Sequence, residues 1–302
     1  MAGAEPAILA RYGVSGQPRL TPARPDVAAE WLQGRVTAER FAPGVATRAV
    51  ASSLPLRPRP DATAEMLTEL LYGEAFAVYD ETDGWAWGQA EADGYVGYVQ
   101  AAALDRPGPK ATHRVTAPAS HLYPAPDFRA PPVSNLPMGA RLTVTGDAEG
   151  AYLPAAGGYV PAQHVAPLSE RITDFAATAE RLLGAPYLWG GRTAAGIDCS
   201  GLVQVALDLA GVPVLRDSAD QAATIGTNLG RGPEVADVRR GDLVFFPGHV
   251  GIMLDEARLL HANATVHMAA GIEPLVDVRR RIRRDEGGEI TAIRRVDLSD
   301  ED

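Results

Sequence analysis

The one cysteine of the chain, Cys199, lies in the segment Gly-Ile-Asp-Cys-Ser-Gly at residues 196–201, where a helical pattern begins. A thiol at the start of a helix faces unpaired backbone N–H groups and the positive end of the helix dipole, and both favour the thiolate. A cysteine nucleophile also needs a base or a cation beside it, so a histidine partner is required. These features favour nucleophilic catalysis by Cys199. The alternative is a buried cysteine that only packs.

Two histidines, His249 and His261, lie in short apolar runs that read as strands and are 12 residues apart. This spacing suits adjacent antiparallel strands with the two side chains next to each other. One imidazole would take the thiol proton, and the other would orient it, the role that Asp or Asn has in other triads. The alternative is a pair of core histidines. We expect no metal, because two histidines and one cysteine without HExxH or CxxC spacing form a poor zinc site.

The sequence that contains these three residues has an α+β pattern, in which helices come first and strands follow. The apolar periodicity predicts helices over 170–183 and from Cys199 to 210, followed by strands over 242–246, 249–254 and 259–262. The arginine-rich run 279–284 is followed by Asp285 and Glu286 and is predicted as a solvated edge strand or loop.

The first part of the chain reads as two small all-β units. Residues 1–45 form an extension with a short helix over 27–32 capped by Asp26. Residues 46–105 and 111–168 then repeat one pattern, in which Gly-Tyr-Val occurs at 97–99 and again at 158–160. Strands are predicted over 76–79, 85–87 and 95–99. Two copies of a small five-to-six-stranded barrel fit this repeat.

Composition excludes several functions. The net charge of −10 disfavours nucleic acid, which requires a basic face. A single cysteine excludes an intramolecular disulfide and a multi-cysteine zinc site. No apolar stretch approaches the roughly 18–20 residues that span a bilayer, so no membrane partner is predicted. The N-terminus has no secretory-signal pattern, which leads us to expect a cytoplasmic protein.

Several motifs together resemble the NlpC/p60 family of cell-wall cysteine peptidases over residues 170–297. They are Ala-Pro-Tyr-Leu-Trp-Gly-Gly at 185–191, Gly-Ile-Asp-Cys-Ser-Gly at 196–201, Arg-Gly-Asp-Leu-Val-Phe-Phe at 240–246, Gly-His-Val-Gly-Ile at 248–252 and Leu-His-Ala at 260–262. The resemblance implies a papain-like α+β catalytic domain that acts on peptidoglycan stem peptides. It assigns Cys199 as nucleophile, His249 as general base and His261 as the orienting residue, and it requires no cofactor. The two upstream repeats resemble bacterial SH3-like (SH3b) domains.

The chain also resembles the γ-D-glutamyl-L-diamino acid endopeptidase (dipeptidyl-peptidase VI-like) branch. In that branch the ammonium of a free L-Ala is held by acidic and aromatic groups, and the D-Glu carboxylate by an Arg-x-Ser pair. The residues that match are Tyr187, Asp198, Ser200, Arg216 and Ser218 and, in the first SH3-like domain, Glu74 and Tyr95, with Tyr98 as a rival for Tyr95.

Each of these residues also has a purely structural interpretation. Asp198 could cap the helix that begins after it, and one carboxylate can serve both roles. Ser200 could be an ordinary first-turn residue, Tyr187 and Trp189 could be core aromatics, and Arg216 could form a surface ion pair.

The resulting hypothesis is a monomeric cysteine endopeptidase that cleaves the bond between γ-D-Glu and a diamino acid, meso-diaminopimelate or L-Lys. Its substrate would be a muropeptide with a free N-terminal L-Ala, and L-Ala-D-Glu would be released, in murein peptide recycling. The oxyanion would be held by the backbone N–H of Cys199 and the hydroxyl of Tyr187. The alternatives are a non-catalytic cell-wall peptide-binding protein, or an amidase or acyltransferase on the same fold.

Overall fold

The structure is a computed structural model that describes residues 4–13, 16–231 and 237–298. Contacts divide it into two compact units, Met1–Glu170 and Arg171–Asp302. Within the described ranges, no helix combines the length and apolar character that crossing a bilayer requires.

The first half of the Met1–Glu170 unit contains one α-helix and a set of short strands. Their bounds are α1 (Ala7–Tyr12), β1 (Val27–Ala29), β2 (Arg40–Ala42), β3 (Val45–Ala49), β4 (Ser53–Leu56), β5 (Thr68–Leu71), β6 (Ala75–Thr82), β7 (Trp85–Ala90), β8 (Val96–Gln100) and β9 (Leu104–Asp105). An antiparallel sheet has the order β8-β7-β6-β3-β9, and β4 and β5 form a separate hairpin. The strands predicted over 76–79, 85–87 and 95–99 are confirmed with slightly different ends.

The prediction of a helix over residues 27–32 is wrong. Residues Val27–Ala29 form β1, which pairs in parallel with β2, and a 3₁₀ turn follows at Glu30–Leu32. All three residues of β1 are buried in a cluster with Ala77, Tyr79 and Trp87. Pairing and burial against a distant sheet therefore override the local apolar spacing. The short helix of this extension is α1 instead.

The second half of this unit spans residues 113–167. Its strands are β10 (His113–Val115), β11 (Ala119–Leu122), β12 (Ser134–Pro137), β13 (Arg141–Leu142), β14 (Tyr152–Ala155), β15 (Gly158–Pro161) and β16 (Val165–Pro167). The strands form a sheet of order β13-β10-β16 and the hairpins β11-β12 and β14-β15. They enclose a small core that includes Val115, Leu122, Leu136 and Val160.

The order of elements recurs between the two halves. In each, a hairpin (β4-β5, then β11-β12) precedes a second hairpin (β7-β8, then β14-β15), and a 3₁₀ turn leads to the last strand. The two hairpins of each half are also joined by a bridge, Arg57 to Tyr98 in one and Tyr123 to Tyr159 in the other.

The Arg171–Asp302 unit mixes helices with one antiparallel sheet, as predicted for an α+β fold. Its elements are α2 (Phe175–Glu180), β17 (Arg192–Thr193), β18 (Gly196–Ile197), α3 (Cys199–Leu209), α4 (Ser218–Thr224), β19 (Thr227–Gly230), β20 (Leu243–Phe246), β21 (His249–Met253), β22 (Arg258–Asn263), β23 (Ala269–Pro274), α5 (Leu275–Glu286) and β24 (Ala292–Arg295). The sheet order is β19-β24-β20-β21-β22-β23.

Both faces of this sheet are covered. α5 packs Val278 and Ile282 with Val244 and Phe246 of β20, while the alternate residues Leu243 and Phe245 are buried as well. α3 packs on β21 and β22 and on α2. α3 is therefore packed against the two strands that carry the histidines.

Two predictions of secondary structure in this unit are corrected. The helix expected over 170–183 is only α2, because Asp174 caps it by accepting a hydrogen bond from the Ala177 N–H and turns follow Glu180. The run 279–284, expected as an edge strand or loop, belongs to α5. The four-residue spacing of Val278 and Ile282 gives this helix an apolar face.

Candidate active site

Cys199 is the first residue of α3, as predicted. The carboxylate of Asp198 caps the helix by accepting a hydrogen bond from the Gly201 N–H at 2.7 Å. Cys199 is 7% exposed, so its thiol is almost removed from bulk water. The capping role expected as an alternative for Asp198 is confirmed, and the cap determines where the helix begins.

The segment 186–191 lies directly beside the start of α3. Leu188 N–H donates to the Ile197 carbonyl, and the Gly190 N–H donates to Asp198 at 2.9 Å. A Cβ atom at Gly201 would lie 2.3 Å from the carbonyl oxygen of Gly191, so only glycine permits this approach. The Tyr-Leu-Trp-Gly-Gly and Asp-Cys-Ser-Gly motifs are therefore packed backbone to backbone.

Beneath the cysteine lies a buried polar cluster of Asp198, Ser200 and Arg216. Arg216 donates to Asp198 Oδ2 at 2.6 Å and to Ser200 Oγ at 2.7 Å. Ser200 Oγ in turn donates to Asp198 Oδ1 at 3.3 Å. With Gly190 and Gly201, Asp198 thus has four donors, which matches the acceptor capacity of a carboxylate. The cluster brings together three of the residues predicted for substrate binding.

One further side chain, that of Gln221, holds the segment 214–218 against this cluster. Gln221, fully buried, donates to the carbonyl oxygens of Ser200 and Leu215. Ser218 begins α4 two residues after Arg216 and is half-buried. The Arg-x-Ser pair predicted from the sequence is therefore on one short connection next to the first turn of α3.

The two histidine strands are adjacent, as predicted. β21 and β22 pair antiparallel, and His249 Nε2 lies 2.7 Å from His261 Nδ1. His261 is fully buried and His249 is half-buried. The thiol of Cys199 accepts a hydrogen bond from the backbone N–H of Val250, the residue next to His249. Cysteine and imidazoles therefore meet where α3 contacts β21.

The sequence analysis missed Glu273 and Arg281. Glu273 Oε1 lies 2.9 Å from His261 Nε2, and Arg281 of α5 binds both carboxylate oxygens of Glu273, at 2.5 and 2.9 Å. One signal was available. Glu273 follows His261 by the same 12 residues that separate the two histidines, and it interrupts an otherwise apolar strand.

Burial dominates the electrostatics of the site. It raises the pKa of the Cys199 thiol to about 12, with Asp198 as the second cause, and lowers the pKa of His249 to about 3. Burial likewise lowers the pKa of His261 to about 4, against the opposing effect of Glu273. The backbone hydrogen bond at Ser200, in the first turn of the helix, does favour the thiolate as expected, but burial outweighs this effect on the pKa of Cys199 in the free protein. Thiol and imidazoles are all neutral near pH 7.

With both groups neutral, the imidazole can accept the proton of the thiol when sulfur attacks a substrate. Burial raises the pKa of Tyr187, with charge on Cys199 and Asp198 as further causes, so its phenol stays protonated and able to donate. The backbone of Tyr187 donates to the Met268 carbonyl at 2.7 Å.

Trp189 does not behave as the predicted core aromatic, since it is 63% exposed. Glu74 and Tyr95 belong to the Met1–Glu170 unit and are buried there. Glu74 accepts a hydrogen bond from the Leu71 N–H at 2.9 Å, and Arg19 donates to the Tyr95 hydroxyl at 3.2 Å. The rival of Tyr95, Tyr98, accepts instead from Arg24, at 2.9 Å.

Within the part of the chain that the structure describes, no group of three or more histidine, cysteine, aspartate and glutamate side chains could hold a metal ion.

Comparison with known proteins gives matches in both units of the chain. Residues 56–104 match the bacterial dipeptidyl-peptidase SH3 domain, and residues 184–275 match the NlpC/P60 family. Dipeptidyl-peptidase 6 of Lysinibacillus sphaericus is 27% identical over 285 residues, which cover 81% of this chain and 97% of that protein. The gamma-D-glutamyl-L-lysine dipeptidyl-peptidase of Bacillus subtilis is 27% identical over 229 residues, 66% of this chain and 72% of that protein.

A solved structure shares the fold. An NlpC/P60 family protein from Bacillus cereus ATCC 10987 superposes with a TM-score of 0.70 at 19% identity, covering 83% of this chain and 99% of that one. The chain therefore contains an NlpC/P60 domain, of a family whose general class is cysteine peptidase, preceded by an SH3 domain of the bacterial dipeptidyl-peptidase type.

Proposed function

We propose that the protein hydrolyses the bond between γ-D-Glu and the diamino acid of peptidoglycan stem peptides that begin with a free L-Ala, and releases L-Ala-D-Glu. The observation that carries the proposal is the thiol of Cys199 bound to the Val250 amide, beside an imidazole pair joined at 2.7 Å. The relatives named dipeptidyl-peptidase support the choice of bond.

In this mechanism His249 is the general base and Cys199 the nucleophile. The thiol proton passes to the ring nitrogen of His249 that does not bind His261, while sulfur forms a bond to the γ-carbonyl carbon of D-Glu. The neutral state of both groups in the free protein means that proton transfer and attack occur together. His249 then donates the proton to the departing amine, which leaves a thioester between Cys199 and the γ-carboxyl group of L-Ala-D-Glu.

Water completes the cycle. His249 takes a proton from water as the oxygen attacks the thioester. It then returns this proton to sulfur as the carbon–sulfur bond breaks and the dipeptide leaves, which regenerates the thiol. The oxyanion in both steps would be stabilised by backbone N–H at the start of α3 and by the Tyr187 hydroxyl, which its raised pKa keeps protonated. The proposed mechanism uses no cofactor.

Recognition of the substrate is proposed for the buried cluster next to Cys199. L-Ala-γ-D-Glu carries an ammonium and a carboxylate, which suit the charges of Asp198 and of the Arg216–Ser218 pair respectively. Because four donors of the protein already occupy the Asp198 carboxylate, its part in recognition is the negative charge that it places near the ammonium. The 2.6 Å ion pair between Asp198 and Arg216 keeps both charges in place beside the cysteine. A requirement for a free ammonium would exclude peptides still joined to muramic acid, and such a preference suits the recycling of released peptides.

We also infer that residues 111–168 are a second SH3-like domain, following a first one over 46–105 and preceding a catalytic domain over 170–297. The support is the repeated order of hairpins in the two halves of the Met1–Glu170 unit and the equivalent bridges at Tyr98 and Tyr159.

Mass spectrometry of L-Ala-γ-D-Glu-meso-diaminopimelate and its L-Lys analogue, incubated with wild type and with Cys199→Ala, tests the function. We expect release of L-Ala-D-Glu by the wild type alone, and no cleavage of an N-acetylated substrate. Equal cleavage of the acetylated peptide would contradict the ammonium requirement. No cleavage of any peptide by folded wild type would favour a peptide-binding protein, and a different product would favour an amidase or acyltransferase.

A further inference from the structure

A continuous chain of hydrogen bonds leads away from His249 across three neighbouring strands. It runs from His249 of β21 to His261 of β22 at 2.7 Å, and on to Glu273 of β23 at 2.9 Å. It ends at Arg281 of α5, which binds both oxygens of Glu273. Glu273 is 8% exposed and His261 is 0% exposed, so water has little access to the connection between them.

The proton positions in this chain follow from the chemistry of its last members. Although burial raises the pKa of Glu273, the hydrogen bonds from Arg281 and the charge of His261 hold that pKa below its ordinary value. Glu273 is then a carboxylate, which only accepts hydrogen bonds. The proton of neutral His261 must therefore be on Nε2, facing Glu273, and Nδ1 carries the lone pair.

The same logic extends one residue further. Because His261 Nδ1 is an acceptor, His249 must donate to it from Nε2. A neutral imidazole has one N–H, so the lone pair of His249 is on Nδ1. This is the nitrogen available to a thiol.

We propose that Glu273, held by Arg281, is a positioning residue that sets the tautomers of both histidines and so keeps the basic lone pair of His249 on Nδ1. The inference rests on the proposed function of the site. Without the carboxylate, His261 could donate from Nδ1 instead. His249 would then carry its proton on Nδ1 and could not accept one from the thiol.

Two neighbouring groups could compete with Glu273 for its role, and the distances favour Glu273. Asn263 Nδ2 lies 3.4 Å from His261 Nε2, against 2.9 Å for Glu273 Oε1. The Asn263 oxygen accepts hydrogen bonds from the backbone N–H groups of Thr265, Val266 and His267, which keeps its NH₂ group turned toward His261.

An NH₂ donor stabilises the opposite tautomer of His261, so Asn263 alone would place the proton on Nδ1. The second neighbour, His267, approaches Glu273 Oε1 only to 3.8 Å. The carboxylate of Glu273 therefore determines the tautomer of His261. Without it, the NH₂ group of Asn263 would stabilise the tautomer with the proton on Nδ1, in which His249 cannot accept the thiol proton.

Kinetics of Glu273→Ala and Glu273→Gln on the tripeptide substrate give the first test. We expect Glu273→Ala to lower kcat by roughly 10–100-fold, as for other residues that orient a functional histidine, with KM changed by less than about twofold. Glu273→Gln keeps an oxygen that can accept from His261 Nε2, so it should retain more kcat than Glu273→Ala. The matched control is Arg280→Ala on the exposed side of α5, which should leave kcat unchanged.

Nitrogen-15 NMR of histidine-labelled protein gives the second test, because it distinguishes protonated from unprotonated ring nitrogens without substrate. Wild type should show His249 and His261 protonated on Nε2, and Glu273→Ala should move the proton of both to Nδ1. Unchanged tautomers in a folded Glu273→Ala variant, or an unchanged kcat, would overturn the inference. If Glu273→Ala does not fold, Glu273→Leu, which also lacks an acceptor and fills more of the buried space, is measured in the same way and should give the same change of tautomer. Failure of wild type to cleave the tripeptide would count against the proposed function alone.

Discussion

Asp198 and Arg216 form an ion pair of 2.6 Å in which the side chains are 8% and 2% exposed, immediately next to the cysteine at the start of α3. Removing one partner of such a pair strongly lowers the free energy of unfolding, because the remaining charge stays buried without its counter-charge. It also supports the helix cap, since the same carboxylate accepts the hydrogen bond from the Gly201 N–H.

The first prediction concerns this pair. Asp198→Asn keeps a capping oxygen but removes the charge, and Arg216→Met removes the guanidinium. Each should lower the free energy of unfolding by roughly 3–5 kcal/mol. The double variant should be more stable than the sum of the two effects implies, because neither charge is then stranded. Urea denaturation of all three measures this.

The control for the ion-pair experiment is Asp277→Asn, which breaks the exposed pair with Arg280. It should change the free energy of unfolding by less than about 0.5 kcal/mol. Additive effects of Asp198→Asn and Arg216→Met would show that the two charges do not stabilise each other.

A second prediction concerns the reactivity of the thiol. Burial raises the pKa of Cys199 to about 12, so the thiolate fraction at neutral pH is far below that of an ordinary cysteine. The rate of alkylation of folded protein by iodoacetamide should keep rising from about pH 6 to pH 10 without a plateau. In urea, the same thiol should follow an ordinary titration near pH 8.5. A plateau below pH 7 in the folded protein would instead indicate a thiolate–imidazolium pair.

Sensitivity to acid is the third prediction. Burial lowers the pKa of His249 to about 3 and of His261 to about 4, below the value of about 6.5 in an unfolded chain. Between those values the unfolded state binds more protons, so the free energy of unfolding falls as the pH falls. The slope approaches about 1.4 kcal/mol per pH unit for each histidine. Urea denaturation from about pH 7.5 to pH 4.5 measures it.

The corresponding variants are His249→Gln and, as control, replacement of the exposed His121 by Gln. The first should reduce the dependence of stability on pH and the second should not. If the free energy of unfolding depended on pH equally in wild type and in His249→Gln, the imidazole of His249 would not be a source of the sensitivity to acid.

The fourth prediction concerns Gly73, which has a φ of +82° and lies against Arg141. A Cβ atom there would be 2.2 Å from the Arg141 carbonyl oxygen, whereas Gly84, with φ of +79°, has nothing within 4 Å of its Cβ position. Both alanine variants incur the cost of a left-handed backbone, about 1–2 kcal/mol. Gly73→Ala should cost roughly 1–3 kcal/mol more through the clash. Equal urea midpoints would show that the Arg141 backbone moves aside.

Local patterns made part of the site predictable. The start of α3 follows from an Asp cap before an apolar helix face, and the strands of His249 and His261 follow from short apolar runs between turns. These signals depend on residues within a few positions of one another, and the structure confirms them.

The features that were missed depend on distant contacts. Glu273 is recognised only when β23 is paired with β22, and the neutral state of the thiol depends on how completely the sheet and α3 exclude water. The strand at Val27–Ala29 requires its partner β2, so its apolar spacing alone suggested a helix. For α5, the run of arginines obscured the apolar pair Val278 and Ile282 that faces the core.

The position of β24 in the sheet has a consequence for biosynthesis. β24 (Ala292–Arg295) lies between β19 and β20, although it is made after every other strand of that sheet. Until it has been translated and inserted, β20 offers an unpaired edge that can recruit other chains. The unit that carries Cys199 can therefore complete its fold only late, while the Met1–Glu170 unit can fold earlier on the ribosome. A nascent chain would accordingly hold no finished peptidase until residues 292–295 have emerged.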